Sequence, residues 1–115
     1  MSRFAKFLLS STILSCLPTA YANGNLGATA FKEVCAVCHG AKGEGTSAGP
    51  TQAPPIKGSA FVKSSSPDEL KALIKFGRTG ASKRFKEIPL GMPAQALSDA
   101  EMAAIIPYLQ VELQK

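Results

Sequence analysis

The stretch that most restricts this chain is CAVCH, residues 35 to 39, which sets two thiols three positions apart and places the only histidine of the sequence directly after the second. The fold must be built around whatever these five residues hold. Three chemistries use such a pair. A redox dithiol normally sits on a strand-to-helix unit of a thioredoxin-like fold, yet no stretch here alternates apolar and polar residues for long enough to make a strand. A zinc site wants four ligands, usually this knuckle plus a second pair; beyond Cys38 there is no further cysteine, and there is no second histidine. Covalent haem attachment uses C-x-x-C-H itself. Cysteines at i and i+3 lie on one side of a helix end, so both sulfurs can add to the vinyl groups on one porphyrin edge while His39 reaches the iron. The expectation is one haem c, held through Cys35 and Cys38, with His39 as its proximal ligand.

An iron held by one imidazole has a sixth position, and with no second histidine the candidates beyond the first residue are Met92 and Met102. Met102 falls on the apolar stripe of a helix and reads as a flexible core filler. Met92 stands in IPLGMPAQ, between Gly91 and Pro93 and 53 residues beyond His39, in a loop with no stripe to belong to. It is the expected distal ligand. A thioether there favours Fe(II), raises the reduction potential, and keeps oxygen and peroxide off the metal, which suits one-electron exchange and not substrate chemistry. The chain is expected to be an electron-transfer protein and not an enzyme. Two other readings stay open: a gas or redox sensor if the sixth position is vacant or labile, and a haem subunit of a larger oxidoreductase.

The first residues, MSRFAKFLLSSTILSCLPTAYA, have the layout of an export signal. Arg3 and Lys6 precede an apolar run of 11 residues from Phe7 to Leu17, too short for a permanent span, and Ala20-Tyr21-Ala22 fits a cleavage site. The rival, a lipoprotein built on Cys16, has a poor lipobox in Ile13-Leu14-Ser15. Residues 1–22 are therefore expected to be cleaved after Ala22, leaving a periplasmic domain over residues 23–115 with no stable membrane insertion. A domain that small buries only about 60 to 65% of its unfolded surface and gains from a cofactor at its centre. Outside the cytoplasm paired cysteines usually form disulfides, but a bridge closing so short a loop stabilises little.

Cleavage takes the net charge from +5 to +3, since 11 of the 13 basic residues then face all 8 acidic ones. That balance, without interleaved aromatic residues, excludes nucleic acid as a partner.

Three helices are predicted in an all-α fold. The first runs from about Asn25 to Cys38 on a stripe of Leu26, Ala30, Val34 and Val37. The second spans Pro67 to Phe76, opened by the capping box Ser66–Glu69 and closed by Gly77, with Leu70, Leu73 and Ile74 on its buried face. The third follows Ser98 and Glu101, with Met102, Ile105, Ile106 and Leu109 at helical spacing and a bend expected near Ala103 from Pro107. Residues 40–66 and 78–97 carry no helical signal, and loops that long in a small domain are usually functional; here they are the expected wrapping of the haem. GAKGEG, residues 40 to 45, has neither the spacing nor the preceding strand of a phosphate loop and reads as flexible backbone.

In order, CAVCHGAKGEG, APPIKGS, GMPA and LSDAEMAAIIPYL resemble a class I c-type cytochrome of the small bacterial, periplasmic, monohaem kind over residues 25 to 112. The resemblance implies the cytochrome c fold, about three main helices and long loops around one haem. It implies thioether bonds at Cys35 and Cys38, proximal His39 and distal Met92. It also implies that the carbonyl of Pro54, with Pro55 as the fallback, accepts the histidine N–H. Gly27 and Phe31 would meet Ile105 and Tyr108 where the first and last helices cross. With no Trp and one Tyr after residue 22, the aromatic donors that some relatives direct at the haem propionates are missing, and Arg78 or Arg84 is the substitute to test. The basic run around Arg78, Lys83, Arg84 and Lys86 would steer a monomeric carrier toward acidic docking surfaces on a dehydrogenase, oxidase, reductase or peroxidase.

Overall fold

The computed structural model describes residues 19–115, and most of the expected export segment, residues 1–22, lies outside them. Five α-helices and no strand occur among the described residues: α1 (Thr19–Ala30), α2 (Ala36–His39), α3 (Ala60–Ser64), α4 (Pro67–Phe76) and α5 (Asp99–Gln110). A one-turn π-helix, Phe31–Cys35, joins α1 to α2, and short 3-10 turns stand at Gly80–Ser82 and Glu112–Gln114. This is the expected all-α arrangement, with long loops between α2 and α3 and between α4 and α5.

Local chemistry sets the ends of α4 and α5. In each a serine hydroxyl accepts from the third helical N–H while the glutamate there reaches back to the serine N–H, for Ser66 with Glu69 and for Ser98 with Glu101. Pro67 fills the first position of α4, and Gly77, at φ 69°, ends it. Both helices have the bounds that these signals predict.

Three features differ from expectation. The first helix is three pieces, because the Ala36 N–H bonds the Phe31 carbonyl five residues back and widens one turn. That turn takes Val37 off the apolar stripe, and it is 65% exposed. In the stretch expected to lack helix, Ser59 caps α3 through the Val62 N–H. As expected, α5 survives Pro107 and runs on to Gln110; Ala103 and Pro107 both lie on its exposed face, where a carbonyl left without its donor is open to water.

The core gathers Ala30, Phe31 and Cys35, Leu70 and Ile74 of α4, and Ile105, Ile106, Leu109 and Leu113 at the chain's end, with Met102 partly buried against it. Phe31 and Ile105 are fully buried, and the Phe31 and Tyr108 rings stand 5.6 Å apart, tilted by 44°. Gly27 lets α1 approach α5 so closely that an added Cβ would fall 2.6 Å from the Ala104 carbonyl oxygen. Two glutamines tie the connections down. Gln110 Nε2 donates to the Val62 and Ser65 carbonyls, and Gln114 bonds the Ile56 and Leu109 carbonyls and the Gly58 N–H.

Candidate functional site

His39 ends α2, and Gly40, at φ 84°, turns the chain away. The imidazole Nδ1 lies 2.8 Å from the Pro54 carbonyl oxygen. A carbonyl only accepts, so Nδ1–H donates and Nε2 keeps its lone pair free to bind a metal. Burial lowers the affinity of the ring for a second proton, against an opposing effect of the Pro54 bond, so it is neutral at pH 7.

Pro54 is held in place by two loops closed on each other. The Gly45 N–H donates to the His39 carbonyl at 2.7 Å, Thr46 Oγ1 to the Cys38 carbonyl at 2.7 Å, and Thr46 and Ala53 exchange both backbone bonds. The Gly43 carbonyl accepts from Ile56 and Lys57, so the GAKGEG segment, expected to be flexible, is built into the wall behind the histidine. Gly45 has φ 82° and a Cβ there would lie 2.7 Å from the Pro55 nitrogen, so only glycine lets the two loops meet.

Cys35 is buried, Cys38 half-buried, and both are free thiols. Burial, and then the neighbouring Cys38, push the Cys35 thiol up to about 11. A disulfide exchanger needs the reverse, a thiol tuned down toward neutrality. Among the described residues no three His, Cys, Asp or Glu side chains gather into a metal cluster, so the pair works with a single imidazole.

Met92 belongs to the other loop, pinned to the end of α4. Arg78 and Met92 exchange backbone bonds of 2.7 and 2.8 Å, and the Gln95 N–H donates to the Ile74 carbonyl at 2.8 Å. The turn at Gly77 brings its Cα against Ala94 and Pro93, where a side chain would collide with backbone. Met92 is thus held on both sides while its side chain packs half-buried against the core.

The two loops face one cavity of about 590 Å³. Cys35, Cys38, His39 and Pro54 line one part of it and Met92 another, with Ile56, Leu70, Ile74 and Leu109 among its apolar residues. Met102 is not there; it lines a separate cleft of about 640 Å³ with Lys71, Lys75 and Phe76, which contains neither thiol nor imidazole. Arg78 and Arg84, the only arginines after residue 22, both border the cavity and lie 5.1 and 4.6 Å from the centre of the Phe61 ring. Neither pairs with a carboxylate among the described residues, where the sole ion pair is Lys115–Glu112. Phe61 and Thr46 had no signal of their own in the sequence; only the Ser59 cap, which fixes the phase of α3, marks where Phe61 would point.

These residues fit a haem. The volume is within the range of cofactor pockets and the lining is mostly apolar. Both thiols are free for thioether bonds, His39 has an unused Nε2, and unpaired cations border the cavity for the anionic ends of the group. A family model described as Cytochrome c matches residues 25–111 of the chain. No curated protein matches it.

Proposed function

The chain belongs to the cytochrome c family and is a haem-based electron carrier, and within that family we propose a soluble, exported carrier with its haem bonded to Cys35 and Cys38 and ligated by His39 and Met92. One observation carries this reading. The CAVCH thiols and imidazole border the same cavity as a thioether 53 residues further along the chain.

When bound, the haem supplies an iron centre that takes up and releases one electron with no bond made or broken in the protein. The residues around it keep that exchange simple. The Pro54 carbonyl fixes the His39 ring and its tautomer, which makes Nε2 a better donor. Paired backbone bonds to Arg78 hold Met92 beside the cavity, where its sulfur would ligate the iron, and so soft a ligand would raise the potential. Ile56, Leu70, Ile74 and Leu109 keep water from the centre. Cys35 and Cys38 prevent loss of the group after export.

Residues 1–22 act as the export signal, so the working chain starts at Asn23 in the periplasm. No helix among the described residues is long and apolar enough to cross a membrane. Arg78 and Arg84 line the cavity alongside the exposed Phe85 and Leu90, with the exposed Lys86 in the same loop. That surface favours acidic docking faces on a dehydrogenase, oxidase, reductase or peroxidase.

Absorption spectra of the exported protein, ferric and ferrous, alongside Met92→Ala, test the reading. A weak far-red band in the ferric wild type that disappears in Met92→Ala supports it. A wild type without the band that takes up carbon monoxide readily has an open sixth position, and the sensor or the haem subunit replaces the carrier.

A further inference from the structure

Lys83 stands just after the 3-10 turn Gly80–Ser82, and its side chain folds back into its own loop instead of entering solvent. Its ammonium donates to the Ile88 carbonyl at 2.6 Å, with the Lys86 and Pro89 carbonyls at 3.3 and 3.4 Å. Three donors on one cation thus meet three acceptors of a segment that ends three residues before Met92. The methylene stem reaches further still. A Cβ on Gly91 would lie 2.9 and 3.0 Å from Lys83 Cγ and Cδ, so the stem covers the residue adjoining Met92, which itself takes φ 68°.

We propose that Lys83 is a positioning residue for the distal ligand: its ammonium gathers the carbonyls of residues 86–89 and its stem braces Gly91, so that the loop cannot draw the Met92 thioether away from the iron. The proposal rests on the reading of Met92 as that ligand. The backbone of Met92 is bonded to Arg78 on one side. Between these two residues the chain makes a long excursion in which only Ile88 is buried. Charge-assisted bonds are about twice as strong as neutral ones, and no carboxylate competes for this ammonium among the described residues. Lys86 makes the useful contrast. It carries the same charge in the same loop, yet its ammonium reaches only the Ala81 carbonyl, at 2.7 Å, and no carbonyl of the segment leading to Met92.

The test compares ferric holoprotein of the wild type with Lys83→Met, Lys83→Arg and Lys86→Met, titrated with imidazole while the far-red band is followed. Loss of an outer-shell partner typically shifts metal-site affinities by about 10- to 100-fold. Lys83→Met is therefore expected to exchange methionine for imidazole with about tenfold tighter apparent affinity. Lys83→Arg, which keeps the charge and donors, should lie near the wild type, as should Lys86→Met. A merely structural lysine would lower the melting temperature of Lys83→Met and leave the imidazole affinity in place, which overturns the proposal. Equal shifts in Lys83→Met and Lys86→Met overturn it as well, since net charge is then the cause. If Lys83→Met fails to load haem, Lys83→Gln, which removes the charge but keeps a polar side chain, takes its place: imidazole affinity about tenfold above that of Lys86→Met supports the proposal, and affinity equal to that of Lys86→Met overturns it. A wild type without the far-red band removes Met92 as ligand and the proposal with it, whereas a normal band with unchanged exchange in both Lys83 variants removes only the proposal.

Discussion

Gly27→Ala should destabilise the protein even though alanine is the better helix former. A methyl at residue 27 would lie 2.6 Å from the Ala104 carbonyl oxygen, 2.9 Å from Tyr108 Cβ and 3.1 Å from the Ala104 carbonyl carbon. Since nonbonded carbons settle at about 3.5 to 4.0 Å, α1 and α5 must part by roughly 0.5 to 1 Å, a gap that forfeits a quarter to a half of each dispersion contact across it. Phe31, Ile105 and the Phe31–Tyr108 ring pair lose most, because they lie in the same crossing. Overpacking of this kind costs ~1 to 3 kcal/mol, and the helix preference of alanine over glycine returns about 1 kcal/mol. The net loss is up to about 2 kcal/mol. Unwinding the residues before Phe31 relieves the collision too, but it uncovers Phe31 and Ala30, which are 1% and 2% exposed. Thermal melts of the ferric holoprotein, followed by circular dichroism, measure the outcome; for a domain of this size each kcal/mol moves the midpoint by about 4 to 8 °C. A Gly27→Ala protein that melts at or above the wild type would show slack in the crossing and refute the reasoning.

Ser98→Ala removes the hydroxyl that caps α5 and leaves Glu101 without its reciprocal partner, and denaturant titration should show a loss of ~1 kcal/mol; no change would mean the box is redundant in this helix. Gln114→Ala deletes three bonds to residues 56, 58 and 109, each worth about 0.5 to 1.5 kcal/mol where water cannot replace it. With Gly58 open to water the expected loss is roughly 1 to 3 kcal/mol, and an unchanged denaturation midpoint would count against the staple.

Much of the site was legible because each part has its own local signal. CAVCH is contiguous, and Met92 stands out by lacking a stripe to join. Ser66 and Ser98 announce α4 and α5 because a capping box needs only four residues. The Pro54 partnership came from the family pattern, and in the structure that carbonyl, not Pro55's, faces His39. The rest depends on tertiary contact. The π-turn at Phe31–Cys35 follows no rule of periodicity, and Val37 looked apolar enough to be inside until that turn rotated it out. The closing of residues 40–46 on 53–57 relies on backbone bonds that any sequence can make, so only the glycines at 43 and 45 hinted at it. The fold of Lys83 onto its own loop was likewise invisible, because a lysine in a basic run reads as a solvated surface charge.

The burial of Cys35 imposes an order on assembly. It is 9% exposed in a cluster completed by Ile105, Ile106, Leu109 and Leu113, all close to the chain's end. Gln110 and Gln114 fasten those last residues across segments that wrap the cavity. In a chain exported N-terminus first, as proposed above, CAVCH would meet whatever joins it to haem well before α5 arrives on the same side. Once α5 docks, the first thiol can be reached only through the cavity that it lines. The closing helix is a deadline, and a variant that folds it too early should accumulate as colourless protein with its cysteines intact.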